Sequence, residues 1–296
     1  MTYQLAVVSG KGGTGKTTVA AALADLAGSV VMADCDVEAP NLHLVLPHET
    51  LREQEFYGNR VATIDREACI DCGVCEPVCR FGAIRWKDGE YEVEDATCEG
   101  CGACTFVCPQ DAVTLEPRRT GTVKLAKAPG GSFAHAELAL AADGSGKLVT
   151  EVRQLATAEA RASGQDVIID GAPGTGCVVI STMTGCQAVL AVTEPTKSGW
   201  HDLERALNVA EHFRIATFVA INKWDICPEM TEEIEERCGE RKVTVVGRIP
   251  WDPAVAEAMT RQKPVTQIGG PAAEAIRAIW AEMSARRPRQ LRIEEV

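Results

Sequence analysis

The sequence predicts an α/β fold in which a doubly wound, mostly parallel sheet carries a small inserted domain. Short apolar runs alternate with helix-forming stretches near the N-terminus and again from about residue 148 onward. This alternation is typical of a parallel sheet with helices on both faces. A cysteine-rich, internally repeated segment interrupts it. We therefore expect a sheet domain made of residues 1–49 and 120–296, and an inserted α+β domain at residues 50–119.

The individual elements follow from local composition. Residues 3–9 form an apolar run suited to a buried strand, and residues 16–27 are rich in helix formers. Residues 29–36 predict a second buried strand, whereas residues 128–146 contain too much glycine to assign and are expected to return the chain to the sheet. Four further strands are predicted at residues 166–171, 187–194, 215–223 and 242–250.

Composition and charge restrict the class of protein. With 296 residues, 46% of them apolar, and a net charge of −12, the chain can build a large core but offers no broad basic surface for nucleic acid or anionic membranes. No apolar run is long enough to span a membrane, and the N-terminus does not resemble a signal peptide. We therefore expect a cytoplasmic protein, in which the 13 cysteines serve as metal ligands or free thiols rather than disulfides.

A phosphate-binding loop follows the first predicted strand. The segment GKGGTGKT at residues 10–17 matches G-x-x-x-x-G-K-[ST] and precedes a predicted helix, which is the context that this motif needs. In such a loop Lys16 contacts the β- and γ-phosphates, and Thr17 binds Mg²⁺. The residues predicted to bind nucleotide here are Gly10, Lys11, Gly12, Gly13, Thr14, Gly15, Lys16, Thr17 and Thr18.

The second lysine of the loop, Lys11, carries a family resemblance. The segment resembles the G-K-G-G-x-G-K-T loop of the MinD/ParA/Mrp class of ATPases, which includes the nitrogenase iron protein. The resemblance implies a nucleotide-dependent dimer in which Lys11 reaches the partner's nucleotide. It also implies that Asp36 positions the attacking water, that Asp34 lies close to the metal, and that Asp170 holds Mg²⁺ through water.

Two later segments are similar to the base-binding segments of the same class. Asn222 lies in INKWD, and Pro250 and Asp252 lie in IPWD. The resemblance implies that Asn222 contacts adenine and that Pro250 and Asp252 flank it. Because N-K-x-D also reads guanine in many GTPases, ATP is favoured and GTP stays open.

Eight cysteines form two runs with the spacing C-x2-C-x2-C-x3-C. This is the spacing of bacterial ferredoxins with two [4Fe–4S] clusters, in which the fourth cysteine of each run binds the other cluster. A zinc site is the alternative, although it does not explain a third cysteine at the same spacing. The second run ends in Pro109, whereas the first has Arg80 at the equivalent position. The predicted ligands are Cys69, Cys72, Cys75 and Cys108 for cluster one, and Cys98, Cys101, Cys104 and Cys79 for cluster two.

Taken together, the motifs resemble MinD-superfamily ATPases that carry an inserted ferredoxin domain. The resemblance implies a protein with ATP, Mg²⁺ and two [4Fe–4S] clusters, which couples nucleotide state to the assembly or delivery of metal–sulfur clusters or to the associated electron supply. An ATP-gated electron-transfer protein is the alternative, and a positioning ATPase with structural or sensory clusters is a weaker one. The expected partners are a second copy or a related ATPase, and an acceptor or redox protein, but not nucleic acid or membrane.

Three further features of the sequence lie outside these motifs. Cys177 has the offset from Asp170 at which the nitrogenase iron protein holds a bridging cluster, but a buried thiol is favoured because no second cysteine matches. The five histidines are scattered and receive no role. An apolar helical stripe near the C-terminus predicts docking on the sheet domain, and basic residues follow it: Arg286, Arg287, Arg289 and Arg292.

Overall fold

The computed structural model describes residues 2–139, 145–174 and 176–287, which form thirteen strands and eleven α-helices. The strands are β1 Gln4–Ser9, β2 Val30–Asp34, β3 Glu49–Phe56, β4 Asn59–Ile64, β5 Ile84–Lys87, β6 Glu90–Val93, β7 Val113–Arg118, β8 Gly121–Ala128, β9 Gly131–Leu138, β10 Asp166–Pro173, β11 Ala188–Thr193, β12 Ala216–Asn222 and β13 Thr244–Ile249. The helices are α1 Lys16–Ala27, α2 Leu42–Val45, α3 Cys75–Val78, α4 Ala103–Val107, α5 Ser145–Ser163, α6 Cys177–Met183, α7 Lys197–His212, α8 Pro228–Glu240, α9 Ala254–Thr260, α10 Val265–Ile268 and α11 Pro271–Ala285.

Nine strands form one sheet in the order β13-β12-β11-β1-β10-β2-β9-β8-β3. All pairs from β13 to β9 are parallel, whereas β8 is antiparallel to both of its neighbours. This confirms the predicted doubly wound, mostly parallel sheet. The carboxyl ends of β1, β2 and β10 therefore meet at one edge, where the phosphate loop and the predicted metal-binding aspartates also lie.

Helices cover both faces of this sheet, because side chains alternate in direction along each strand. In β1, Ala6 and Val8 point into a core that includes residues of α5, α7 and α8. Leu5 and Val7 point into the opposite core, which includes residues of α1 and α11. The apolar stripe of α11 is buried in this second core, as the sequence predicts for docking on the sheet domain. Arg289 and Arg292 lie outside the described residues.

The edge of the sheet differs from the boundary that the sequence predicts. Residues 50–56, assigned above to the inserted domain, belong to β3 and pair with β8 of the large sheet. Nearly all of β3 is exposed, so backbone hydrogen bonds rather than apolar burial hold it, and the sequence lacks the usual strand pattern. Residues 128–138 of the glycine-rich stretch turn the chain from β8 into β9, which pairs with β2 of the sheet, whereas residues 140–144 lie outside the described residues. Gly130 has φ 87°, and a Cβ there would meet the carbonyl oxygen of Gly28.

The inserted segment has sheets and a core of its own. Strands β4 and β7 form one antiparallel pair, and β5 and β6 form a hairpin. The short helix α3 begins at Cys75, and α4 begins at Ala103, the residue before Cys104. An apolar cluster formed by Ala62, Cys75, Ile84, Cys104 and Val113 lies at its centre. Among the described residues, no helix has the length and apolar character needed to cross a membrane.

Candidate nucleotide site and two cysteine cavities

The phosphate loop brings Lys16 to two of the predicted aspartates. The loop follows β1, and Lys16 begins α1. The Lys16 ammonium lies 2.6 Å from Asp170 Oδ1 and 4.0 Å from Asp36 Oδ2. Its side chain is only 7% exposed, and that of Asp170 is fully buried. A buried ammonium held by carboxylates at a helix N-terminus can move to phosphate oxygens when a nucleotide enters.

The third aspartate, Asp34, is held by backbone donors. Its carboxylate accepts hydrogen bonds from the N–H groups of Asp36 (3.0 Å) and Leu42 (3.1 Å). Burial, and then the neighbouring Asp170 charge, raises the pKa of Asp34 to about 8, although Lys16 and the two N–H groups oppose this shift. A cation bound here would relieve the same repulsion, so the carboxyl groups fit a Mg²⁺ site.

Two buried polar atoms at the site also fit a ligand. Within the described part of the chain, neither Thr14 Oγ1 nor Asp170 Oδ2 has a hydrogen-bond partner. Buried polar atoms in native structures are nearly always paired, so such atoms call for water or a ligand. A hydrated Mg²⁺ ion and nucleotide phosphates would supply hydrogen-bond partners for these two oxygen atoms.

Lys11 is held within its own chain by Glu194, which the sequence did not single out. The Lys11 ammonium lies 3.4 Å from Glu194 Oε2, and Lys223 lies 2.6 Å from Glu194 Oε1. Lys223 is also 3.4 Å from the carbonyl oxygen of Gly13. The Lys11 side chain is 32% exposed, so this pair is weak and the lysine can exchange its partner.

A cavity of about 550 Å³ extends from the phosphate loop to the predicted base-binding segments. Asn222 Nδ2 donates to the carbonyl oxygen of Thr14 at 2.7 Å, so this side chain joins β12 to the loop. The residues of the predicted nucleotide site that line the cavity are Gly12, Gly13, Thr14, Gly15, Lys16, Thr17, Thr18, Asp36, Asn222, Pro250 and Asp252.

The carboxylates at the base end of this cavity have structural partners. Asp252 accepts hydrogen bonds from the N–H groups of Ala254 and Ala272, both at 2.9 Å. Asp225 Oδ1 accepts from the N–H of Trp251 at 2.8 Å. Asp225, the residue that would read guanine in N-K-x-D, is thus bonded to the loop beside the base cavity. The contact of Asp252 with a base stays a prediction.

The structure gathers the eight cysteines of the runs around two small cavities. One cavity is lined by Cys69, Cys72, Cys75 and Cys108, together with apolar groups such as Ile64 and Val113. The other is lined by Cys79, Cys98, Cys101 and Cys104, with neighbours such as Ala62 and Leu115. These are the two sets that the spacing predicts, including the exchange of the fourth cysteine between runs.

Backbone donors point at three of these sulfur atoms. The N–H groups of Ala62, Ala83 and Ala112 donate to the sulfurs of Cys98, Cys79 and Cys108 at 3.3–3.4 Å. Hydrogen bonds to ligand sulfur stabilise the negative charge of a cluster and tune its reduction potential. The apolar lining, four thiols and N–H donors therefore fit a cubane in each cavity. Arg80, which replaces the proline of the second run, is exposed.

The remaining cysteines and the histidines are placed as follows. Cys177 is exposed at the start of α6, not buried as the sequence favoured. Cys35, Cys186 and Cys238 are buried, and burial raises the pKa of each thiol. Three of the histidines, His43, His48 and His135, lie together. His135 is about 90 positions from the other two, so no local pattern could have predicted that it joins them.

A phosphate loop on a doubly wound sheet, with a lysine and aspartates at its carboxyl edge, defines a P-loop nucleotide hydrolase. The family profile for the CobQ/CobB/MinD/ParA nucleotide binding domain matches residues 5–265, so the chain belongs to this family. It is an ATPase of the MinD/ParA type with an inserted ferredoxin-like domain.

Individual relatives agree with this class. An uncharacterized protein of Methanocaldococcus jannaschii is 34% identical over 223 residues, which are 74% of this chain and 78% of that protein. The iron-sulfur cluster carrier protein of Pyrococcus abyssi is 25% identical over 94% of this chain and 84% of its own. A ferredoxin-like protein of Azotobacter vinelandii is 42% identical over 53 residues, which are 16% of this chain and 82% of that protein.

A solved structure shares the fold. The cell division ATPase MinD of Pyrococcus furiosus superposes with a TM-score of 0.57 at 21% identity, covering 97% of this chain and 100% of its own. At this identity the similarity establishes the fold alone.

Proposed function

We propose that this ATPase couples its nucleotide state to two resident [4Fe–4S] clusters, which supply electrons for the assembly or delivery of metal–sulfur clusters on a partner protein. The observation that carries the proposal is the crossed lining of the two cysteine cavities. Each cavity takes three cysteines from one run and the fourth from the other. A cluster in either cavity would therefore tie the two halves of the inserted domain together.

The position of the cysteines favours resident clusters over cargo. Cys75 and Cys104 belong to the apolar core of the inserted domain and are 9% and 7% exposed. Loss of a cluster would open a void in that core and leave its thiols without a common ligand. Because small domains depend on such metal groups for stability, release of either cluster should unfold the domain. The clusters are thus better suited to carry electrons than to be transferred.

A zinc site fits these cavities less well. Zinc needs four ligands at about 2.0–2.3 Å from a single ion. One run of four cysteines could complete such a site by itself, so zinc gives no reason for the fourth cysteine of each run to line the other cavity. A cubane that takes its fourth thiolate from a distant cysteine accounts for this exchange.

The relatives support an iron–sulfur role. The relative in Pyrococcus abyssi is named an iron-sulfur cluster carrier protein and aligns with 94% of this chain. The relative in Azotobacter vinelandii is named ferredoxin-like, and the match covers about the length of the inserted segment. We extend these roles to this chain as part of the proposal.

The contacts also offer a route between nucleotide and clusters. Asp34, at the proposed Mg²⁺ site, accepts the N–H of Leu42 at the start of α2. The chain continues from α2 into β3 and then enters the inserted segment near Gly58. There the N–H of Gly58 donates to Thr120, and Lys147 of α5 donates to the carbonyl oxygen of Gly58. A change at the γ-phosphate could reach the inserted domain along this path.

We propose in addition that two copies, or one copy and a related ATPase, form the active dimer. Lys11 is available for a trans contact because its only acidic partner in the described chain is Glu194, at the partly exposed edge of the site. The dimer would enclose the nucleotides between the two phosphate loops.

A second function, the gating of electrons to a partner enzyme, is favoured by exposure around the cavities. Cys72 and Cys101 are exposed, and Phe106, which lies between two ligand cysteines, is 90% exposed. An exposed aromatic residue next to a cluster suits contact with another redox protein.

The experiment measures iron under anaerobic conditions. The reconstituted full-length protein should hold about eight iron atoms per chain if both cavities bind cubanes. It should keep them when incubated with Mg²⁺, ATP and an apo-ferredoxin as acceptor. Cys79→Ser and Cys108→Ser should each perturb one cluster, whereas Cys177→Ser should keep the full iron content. About two zinc atoms per chain would contradict the cluster assignment, and ATP-dependent transfer of iron to the acceptor would contradict resident clusters.

A further inference from the structure

Two histidines that are close in sequence and a third from a distant strand surround a common space outside the nucleotide site. His43 lies in α2, His48 lies between α2 and β3, and His135 lies in β9. The ring centroids are 6.2 Å apart for His43 and His48, 6.3 Å for His43 and His135, and 5.7 Å for His48 and His135. The three rings therefore form a compact triangle, which we call the histidine triangle.

The nitrogen atoms of this triangle lack partners. His135 is 3% exposed, and within the described chain neither of its ring nitrogens makes a hydrogen bond. The buried Nδ1 of His43 likewise has no partner there. His48 Nδ1 lies 3.2 Å from the carbonyl oxygen of Leu46, a contact that fixes Nδ1–H as donor and leaves Nε2 free to bind a metal.

Aromatic packing alone does not explain these residues. His135 stacks on Phe133 with the centroids 4.7 Å apart, so packing could hold the ring. However, each buried polar atom without a partner costs about 1–3 kcal/mol, and a phenylalanine at this position would avoid that cost. A bound metal ion would give a partner to a ring nitrogen that has none among the described residues.

We propose that His43, His48 and His135 bind a divalent transition metal ion of the Zn²⁺ class. Three imidazoles that leave a fourth position open are a common zinc ligand set. With metal–nitrogen distances near 2.0–2.1 Å, rings around one ion would stand about 5 Å apart, centroid to centroid. The observed separations exceed this by about 1 Å. Closure needs the half-buried His43 ring to move toward His135, because their separation of 6.3 Å is the widest, and it also needs a rotation of the exposed His48 ring.

In the observed side-chain positions, no three His, Cys, Asp or Glu residues of the described chain form a group that could hold a metal ion, so the proposed site forms only when the histidine rings move. The charged groups that face the triangle are Lys124 and Glu137, which pair with each other at 2.8 Å. Glu137 can offset the added positive charge of the ion. A metal at this place would join α2, which is bonded to Asp34, to the segment that leads into β3.

The test is a Co²⁺ titration of the full-length protein. Its two cysteine cavities are first loaded with [4Fe–4S] clusters, and other metals are removed by a chelator. Co²⁺ absorbs in the visible region when nitrogen ligands surround it, and Zn²⁺ should displace it. We expect one equivalent bound with micromolar or tighter affinity. His48→Gln, which changes an exposed side chain, should weaken binding at least tenfold. His135→Phe should abolish binding and, without metal, should leave the protein at least as stable as the parent.

His212→Gln is the matched control, because His212 is exposed on α7 outside the triangle. It should bind Co²⁺ like the parent protein. Equal binding in all four proteins, absence of binding below millimolar Co²⁺, or an absorption band of thiolate-to-cobalt charge transfer would each overturn the proposal.

Discussion

Removal of the Lys16 ammonium tests the buried charge cluster at the phosphate loop. The side chains of Lys16 and Asp170 are 7% and 0% exposed and lie 2.6 Å apart. Lys16→Met would leave Asp170 without its cation, with Asp34 and Asp36 close by. Removing one partner of a buried pair typically costs about 3–5 kcal/mol, because a buried charge stays uncompensated. We expect a loss of that size in the unfolding free energy without nucleotide.

The same substitution should abolish the stabilisation by nucleotide. A ligand present at 100 times its dissociation constant adds about 2.7 kcal/mol to the folded state. The parent should show this gain with Mg²⁺ and ATP, whereas Lys16→Met should not, because the loop lacks the charge that faces the β- and γ-phosphates. In the double variant Lys16→Met/Asp170→Asn, stability should largely return, since neither charge stays unpaired, but nucleotide binding should not.

The assay is urea denaturation under anaerobic conditions, followed by tryptophan fluorescence. Four of the five tryptophans lie outside the inserted segment, so the signal reports the sheet domain. Lys11→Met is the control, because its ion pair is partly exposed and should contribute no more than about 1 kcal/mol. If Lys16→Met were within about 1 kcal/mol of the parent, the buried ion pair would not hold the loop.

Three more predictions concern the nucleotide site and the thiols. Lys11→Ala should bind ATP as a monomer nearly as the parent does but should lose ATP-induced dimers and hydrolysis, as sedimentation and phosphate release would show; parent-like turnover would contradict the trans role. Asp225→Ala should weaken ATP and GTP binding by a similar factor of about 2–10, since it loses one hydrogen bond to Trp251; a selective loss of GTP would instead make Asp225 a guanine reader. Burial raises the pKa of Cys186 from 9.0 to about 11, so on the order of one thiol in a thousand is ionised at pH 8. Iodoacetamide should therefore label the exposed Cys177 and spare Cys186 in the folded protein. Because the folded pKa lies above the unfolded one, Cys186 stabilises the fold fully below pH 9 and loses about 2–3 kcal/mol as the pH rises through 11; an equal alkaline loss in Cys186→Ala would refute this.

The sequence predicts those features that depend on short-range patterns. The strands of the parallel part are continuous apolar runs because both faces are buried, as β11 shows. The phosphate loop and the two cysteine runs are recognised from spacing within a few residues. By contrast, β3 has polar, exposed side chains and is held by backbone pairing with β8, which leaves little trace in the residue pattern.

Contacts between distant residues could not be predicted in this way. Glu194 meets Lys11 across 183 positions, and His43 meets His135 across 92, since each pair depends on how strands are ordered in the sheet. The sequence favours a buried Cys177, because cysteine is usually buried, yet this residue lies at an exposed helix start. The burial of a cysteine is thus predicted less well by its residue type than by its position in the fold.

Coupling between the nucleotide site and the two clusters can be measured as the affinity for Mg²⁺–ATP in the oxidised and the dithionite-reduced protein under anaerobic conditions. Asp36→Ala blocks turnover during the measurement. Linkage requires that any shift of the reduction equilibrium by ATP be matched by an equal shift of ATP affinity on reduction. We predict affinities that differ by at least fivefold between the two redox states, which corresponds to about 1 kcal/mol of coupling. Equal ATP affinities in the oxidised and the reduced protein would show that the nucleotide site and the clusters are not coupled.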